Sequence, residues 1–284
     1  MVSRFAIPTL AALAVLTATP AARAADMPLA PPVVAPPEVG GWYLRGDIGF
    51  SNQNVGSLFS ADYAGYTSVT NANKAFDAAP LLGLGIGYAV NNWLRFDVTG
   101  EYRGDANFHG LDIGTIPGGG FADDRYTASK SEWTFLFNGY VDLGTWQNVT
   151  PFVGAGVGFS RNTISNFGDM SVCVNSLLGC AYRGGSDAYG AAASTWNFAW
   201  ALYAGLAYNV TRNFTVELAY RYIDLGNATT GTVTTFAGTC GCTPMEFNHL
   251  TSQDLKLGLR FNLDSFYEAP SPVQYYQPPL HSKG

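Results

Sequence analysis

From residue 41 onward, hydrophobic and polar positions alternate in short runs with a period of two. Successive side chains of an extended strand point to opposite faces, so each run predicts a strand with one apolar and one polar face. Eight runs qualify, near 41–52, 78–90, 93–104, 129–143, 150–161, 194–208, 213–224 and 251–263. In the first, Trp42, Leu44, Ile48 and Phe50 oppose Tyr43, Arg45 and Asp47. The fourth sets Trp133, Phe135, Phe137 and Val141 against Lys130, Glu132, Thr134, Asn138 and Asp142, and the eighth sets Leu255, Leu257, Leu259, Phe261 and Leu263 against Asp254, Lys256, Gly258, Arg260 and Asn262. Each run can supply the roughly 9–11 residues that a tilted strand uses to cross a hydrocarbon layer.

The connections alternate too. Those after the even runs are tight (Asn91-Asn92, Gly144 to Val149, Asn209 to Arg212), and those after the odd runs are long, about 53–77, 105–128, 162–193 and 225–250. Short turns at one end and long loops at the other are the asymmetry of an outer-membrane barrel. With both termini on the short-turn side the strand number must be even, and eight satisfies it.

Composition separates this reading from a soluble sandwich. The chain is 47% hydrophobic but only 13% charged, against about 25% charged in ordinary soluble domains. Beyond the N-terminal region no apolar run approaches the roughly 18 residues of a membrane helix. Only helices and closed barrels satisfy their backbone groups in lipid. The expected fold is therefore all-β, an eight-stranded antiparallel transmembrane β-barrel with long extracellular loops. Its apolar faces look outward, because they are continuous and carry aromatic residues such as Trp42, Trp93, Trp133 and Trp196 toward strand ends.

The flanks are organised around export. Arg4, an apolar stretch from Phe5 to Ala18, and Ala22-Arg23-Ala24 give residues 1–24 the form of a secretory signal. Residues 25–40 form a proline-rich periplasmic linker, 41–263 the barrel, and 264–284 a second proline-rich, disordered periplasmic tail. Removing Arg4 and Arg23 with the signal takes the formal charge from −6 to about −8, which disfavours a nucleic-acid partner.

The polar faces nearly cancel in charge. Arg45, Arg95, Arg103, Lys130, Arg221, Lys256 and Arg260 stand against Asp47, Asp97, Glu101, Glu132, Asp142, Glu217 and Asp254. Enclosed charges need partners, and an eight-stranded barrel has room inside only for side chains. A lumen filled by salt bridges is the leading expectation, and a narrow polar conduit the alternative. Two runs have a nearly bare face, Gly83, Gly85, Gly87 and Gly154, Gly156, Gly158, which leaves space for bulky neighbours.

At this point the layout resembles small OmpA/OmpX-type barrels, and more closely the alphaproteobacterial outer-membrane surface-antigen and porin-like family. The residues that carry the likeness are the proline-rich lead-in, the opening Gly41-Trp42-Tyr43-Leu44-Arg45-Gly46-Asp47-Ile48-Gly49, Pro151-Phe152-Val153-Gly154-Ala155-Gly156-Val157-Gly158, and the closing Lys256-Leu257-Gly258-Leu259-Arg260-Phe261. The resemblance implies an integral outer-membrane location, a structural or surface-exposed role in the envelope, and no cofactor. Partners are then outer-membrane lipid and lipopolysaccharide, with the barrel-assembly machinery during biogenesis. Lys256, Gly258, Phe261 and Leu263 resemble the signal that machinery reads, although a tail of about 21 residues follows them here. A porin-like channel, or an adhesin binding host or phage surface molecules through its loops, are the alternative functions.

Little else points to chemistry. Cys173, Cys180, Cys240 and Cys242 fall in two long loops, and in an exported chain an even count implies disulfides. Cys173–Cys180 is the favoured pair, with cross-loop pairing open because Cys240 and Cys242 are too close in sequence to bridge easily. Their spacing matches no zinc pattern. His249 with Ser252, or His109 with Asp112, could be imagined as catalytic pairs, but neither sits in a nucleophile–base motif. No enzymatic activity is expected.

Overall fold

The computed structural model describes residues 40–174, 185–235, 238 and 242–263. The expected signal at 1–24, the linker up to residue 39 and the tail at 264–284 lie outside the described residues. Along the chain the elements are β1 (Gly41–Phe59), a 3₁₀ turn (Ala61–Gly65), β2 (Ser68–Phe76), β3 (Ala79–Ala89), β4 (Leu94–Thr115), β5 (Phe121–Asp142), β6 (Val149–Val174), β7 (Gly185–Gly190), β8 (Ala193–Asn209), β9 (Phe214–Thr229), β10 (Val233–Thr235) and β11 (Glu246–Asn262). Among the described residues no helix is long and apolar enough to cross a membrane.

Eight of these strands close a ring. β1 pairs antiparallel with β3, which continues through β4, β5, β6, β8, β9 and β11, and β11 returns to β1. Closure leaves no edge strand to satisfy within lipid. The tight connections at 90–93, 143–148 and 210–213 all fall at one end.

The alternation sets the faces. On β5, Trp133, Phe135 and Phe137 are exposed, whereas Glu132, Thr134, Leu136 and Asn138 are buried inside. Trp42, Leu84, Val98, Val157, Phe198, Leu218 and Leu257 extend the outward apolar belt around the other seven strands. The inward glycines are covered by larger neighbours. A Cβ on Gly87 would lie 2.2 Å from the Tyr43 ring, and one on Gly154 2.5 Å from the Tyr140 ring.

The strands overrun the boundaries drawn from sequence. β4 and β5 span 22 residues each and β6 spans 26, about twice what the hydrocarbon requires. The stretch expected as a loop at 105–128 is largely the upper hairpin of β4 and β5, closed at 116–120. The connection at 162–193 contains a further hairpin partner, with β7 on the upper end of β6. β2 adds to β4 in the same way, and β10 to β7. These extensions escape a simple period because five strands change phase above the membrane belt. β1 does so between Val55 and Leu58, β4 at a register shift between Arg103 and Ala106, and the other three at residues with left-handed backbone: Asn166 of β6, Gly226 of β9 and His249 of β11. Each irregularity inserts an extra residue, so the inward positions switch between odd and even numbers. Phe108, Phe167, Ala228 and Phe247 thereby turn inward.

Candidate functional site: the barrel lumen

The inward residues of the lower barrel are ionic. All fourteen charged residues expected in the lumen face inward and join one network of ion pairs. Period two places them there: Arg45 and Asp47 on β1, Arg95, Asp97, Glu101 and Arg103 on β4, and Asp254, Lys256 and Arg260 on β11 are spaced by even numbers within each strand.

At the short-turn end, Arg95 Nε donates to Asp142 Oδ1 at 3.2 Å, and Glu217 Oε1 lies 3.3 Å from Arg95 and 3.4 Å from Arg260. The Nη atoms of Arg95 have no hydrogen-bond acceptor. Beside the Glu217 ion pair its guanidinium sits 4.3 Å from the Tyr140 ring centre and 4.7 Å from that of Phe152, so ring faces add to the carboxylate's attraction. Asp142 and Arg260 are the most accessible members, their side chains 13% and 12% exposed.

In the middle, Arg45 donates to Asp47 at 2.8 Å and to Asp97 at 2.7 Å. Asn138 donates to the other oxygen of Asp97 at 2.7 Å and accepts from the Tyr203 hydroxyl at 2.8 Å. Higher up, Glu101 binds Lys256 and lies 2.6 Å from Arg221; Asp254 accepts from Arg221 at 2.6 Å and from Arg103 at 2.8 Å. Arg103 and Lys130 share Glu132, and Lys130 donates onward to Gln53 at 2.7 Å. Tyr43, Tyr140, Tyr203, Asn138 and Gln53 were absent from the charge-based list. Their inward phase was readable, but only the packed structure shows which charge each one touches.

Directly above Lys130 the lining becomes apolar. Phe76 lies over its ammonium at 6.0 Å and 4.9 Å from Phe108, which is 5.0 Å from Phe247. Val55, Ile164, Leu225 and Leu250 complete this layer, all buried. Phe108 falls in the stretch that the sequence pattern reads as the long connection at about 105–128. The missed signal was an alternation that continues past the bulge with inverted phase.

The remaining expected residues fall elsewhere. Cys173 and Cys242 are each disulfide-bonded; Cys180 and Cys240 lie outside the described residues. Lys256 and Gly258 point inward on β11, Phe261 points outward, and Leu263 follows the strand end. His109 is exposed on the outer face of β4 while Asp112 is buried within, and exposed His249 occupies the β11 bulge while Ser252 is buried, so neither imagined catalytic pair shares a face. Among the described residues no group of three or more His, Cys, Asp or Glu side chains could hold a metal ion.

The family model described as "Outer membrane protein beta-barrel domain" matches residues 9–242. An uncharacterized protein of Brucella suis biovar 1 is 31% identical over 238 residues, covering 75% of this chain and 80% of its own. The outer membrane protein PagN of Salmonella typhimurium is 29% identical over 200 residues, covering 66% and 75%. A Rickettsia bellii protein named as a candidate adhesin is 27% identical over 227 residues, covering 78% and 88%.

Proposed function

The chain belongs to the outer-membrane protein β-barrel family and is integral to the outer membrane, and from that premise we propose that it is a barrel closed to solutes whose work is done at the cell surface. The observation that carries this reading is the double seal of the lumen. Fourteen paired charges fill its lower part, and an aromatic and aliphatic layer lies across its upper part. A solute-conducting path would have to part both at once. The charge network serves to lock the eight strands in one register, and no residue in it acts catalytically.

In this reading residues 1–24 direct export, and residues 25–40 and 264–284 lie in the periplasm. The assembly machinery reads β11 through Lys256, Gly258, Phe261 and Leu263, and outer-leaflet lipopolysaccharide contacts the upper belt. Purified protein in planar bilayers should show no stepwise conductance at neutral pH. Reproducible channel steps that persist after further purification would replace this reading with the porin-like one.

Surface adhesion is the specific role that the raised strands favour. They present β2, β7 and β10 on a folded platform rather than on free loops, and a relative carries an adhesin name. Cells expressing the full-length chain should adhere to host cells more than cells expressing a chain truncated at the β4–β5 hairpin.

A further inference from the structure

Above the apolar layer the extended strands enclose a cavity of about 240 Å³ that is unlike the lumen beneath it. Its walls are the rings of Tyr63, Tyr66, Tyr126 and Phe167, and its acids are Asp62, Asp124 and Asp169. None of its described lining residues is Lys, Arg or His. The lumen balances every carboxylate with a cation; here the described lining supplies carboxylates without one. The nearby Arg125 is largely exposed and pairs with Asp123 at 3.6 Å, and Lys74 donates to the Gly56 carbonyl.

Asp124 marks the site. It is only 5% exposed, and its Oδ2 accepts from the Tyr66 hydroxyl at 3.3 Å. Its Oδ1 is buried without an in-line hydrogen bond, and the Ser171 hydroxyl of the paired strand is the donor group beside it. Asp169 Oδ1 is buried and unpartnered in the same way. An unpaired buried carboxylate oxygen is costly unless something else satisfies it. The aromatic walls are held in place: Tyr63 donates to the buried Asp112, which also accepts from Asn71 at 2.6 Å, and Tyr126 stacks on Phe167 at 5.9 Å.

We propose that this outer cavity binds an organic cation, a ligand presenting an ammonium or quaternary ammonium group. Ring faces and carboxylates together suit a weakly hydrated cation, which gains from the ring quadrupole as well as from the charge. A hard divalent ion would need six or more converging oxygens, and the described residues hold no such cluster. The facing groups also make binding pH-dependent. Burial, then Asp124, Asp112, Asp62 and Asp187, push the Asp169 carboxyl up to about 7. Burial and the neighbouring Asp112 and Asp123 raise Asp124 as well. Tyr63, Tyr66 and Tyr126 are all held above the usual phenol range, chiefly by burial, and stay neutral. A proton therefore competes with the ligand, and affinity falls as pH drops below about 7. The inference relies on the surface-acting reading only for the compartment that supplies the ligand, because binding by solubilised protein is scored without reference to conductance or adhesion.

The test is calorimetric titration of the full-length, detergent-solubilised barrel with tetramethylammonium and with putrescine, and with calcium as comparison. Saturable binding of at least one organic cation is expected at pH 8, weakened at least tenfold at pH 5.5. Asp124→Asn and Tyr66→Leu should each weaken it at least tenfold, whereas the exposed Asp105→Asn should not. Heat-modifiable migration establishes that each variant is folded. Failure of both organic cations to bind, unchanged binding in Asp124→Asn, or tighter binding of calcium at the same site would overturn the proposal.

Discussion

Replacing Glu101 by Gln tests whether charge balance holds the barrel together. Glu101 is fully enclosed and faces three cations: Lys256, Arg221 at 2.6 Å and Arg103 at 3.9 Å. At an effective dielectric constant of about 20, the gross attraction is about 6 kcal/mol at the Arg221 distance and about 4 kcal/mol at that of Arg103. Most of this is offset by the desolvation that the carboxylate no longer has to bear. What remains is an interior with one uncompensated positive charge, and breaking such a buried pair typically costs about 3–5 kcal/mol. The lower end, about 3 kcal/mol, is expected, because each stranded cation keeps another anion. Arg221 and Arg103 retain Asp254, and Lys256 retains Asp47 at 3.6 Å. The assay is equilibrium urea unfolding in lipid vesicles, followed by tryptophan fluorescence and by heat-modifiable migration. The double variant Glu101→Gln/Lys256→Gln restores neutrality and should be no less stable than Glu101→Gln alone, a strongly non-additive result. A single variant within about 0.5 kcal/mol of the parent, or a strictly additive double variant, would refute the reasoning.

Three further outcomes follow from other parts of the molecule. Single cysteines placed at Phe135 and Thr134 in a Cys-free background should label from the lipid phase at 135 but not at 134, since one is exposed and the other fully buried; the reverse pattern would turn the barrel inside out. Gly87→Val should block folding into the heat-modifiable form, because a Cβ there meets the Tyr43 ring at 2.2 Å, whereas Gly65→Ala, with nothing within 4 Å, should fold like the parent. The outer platform should be more stable in mild acid. The Asp169 carboxyl titrates near 7 in the folded state and near its ordinary value of about 4 when unfolded. The folded state therefore binds the extra proton between these values, so stability rises as pH falls from above 7 toward 4 and levels off below. Hydrogen exchange around Tyr126 and Phe167, corrected for intrinsic rates, should be slower at pH 5.5 than at pH 8; faster exchange in acid would contradict the assignment.

The sequence by itself determined the membrane-embedded half. Within a strand, facing depends only on whether two positions differ by an even or odd number, so Trp133 and Phe135 were assigned to the lipid and Glu132 and Thr134 to the interior without knowledge of a single partner. Because the barrel is narrow, the same parity gathered all seven cations and seven anions into one confined space, and their near cancellation could be counted along the chain.

Parity is lost wherever one residue is inserted. The bulges at Arg103/Ala106, Asn166, Gly226 and His249 invert it just above the ionic layer. No local signal distinguishes such a bulge from the start of a loop, since Gly and Asn are also common in turns. Whether the chain bulges or breaks is decided by the neighbouring strand, which either continues the hydrogen-bonded ladder or does not. The apolar seal of Phe76, Phe108 and Phe247, three residues more than 30 positions apart in sequence, therefore existed only once the ring had closed. The same holds for the acidic outer cavity. Asp62, Asp124 and Asp169 each look like an ordinary solvated loop carboxylate in the sequence, and only the pairing of β5 with β6 beneath the 3₁₀ turn brings them together, with no cation among the described lining residues.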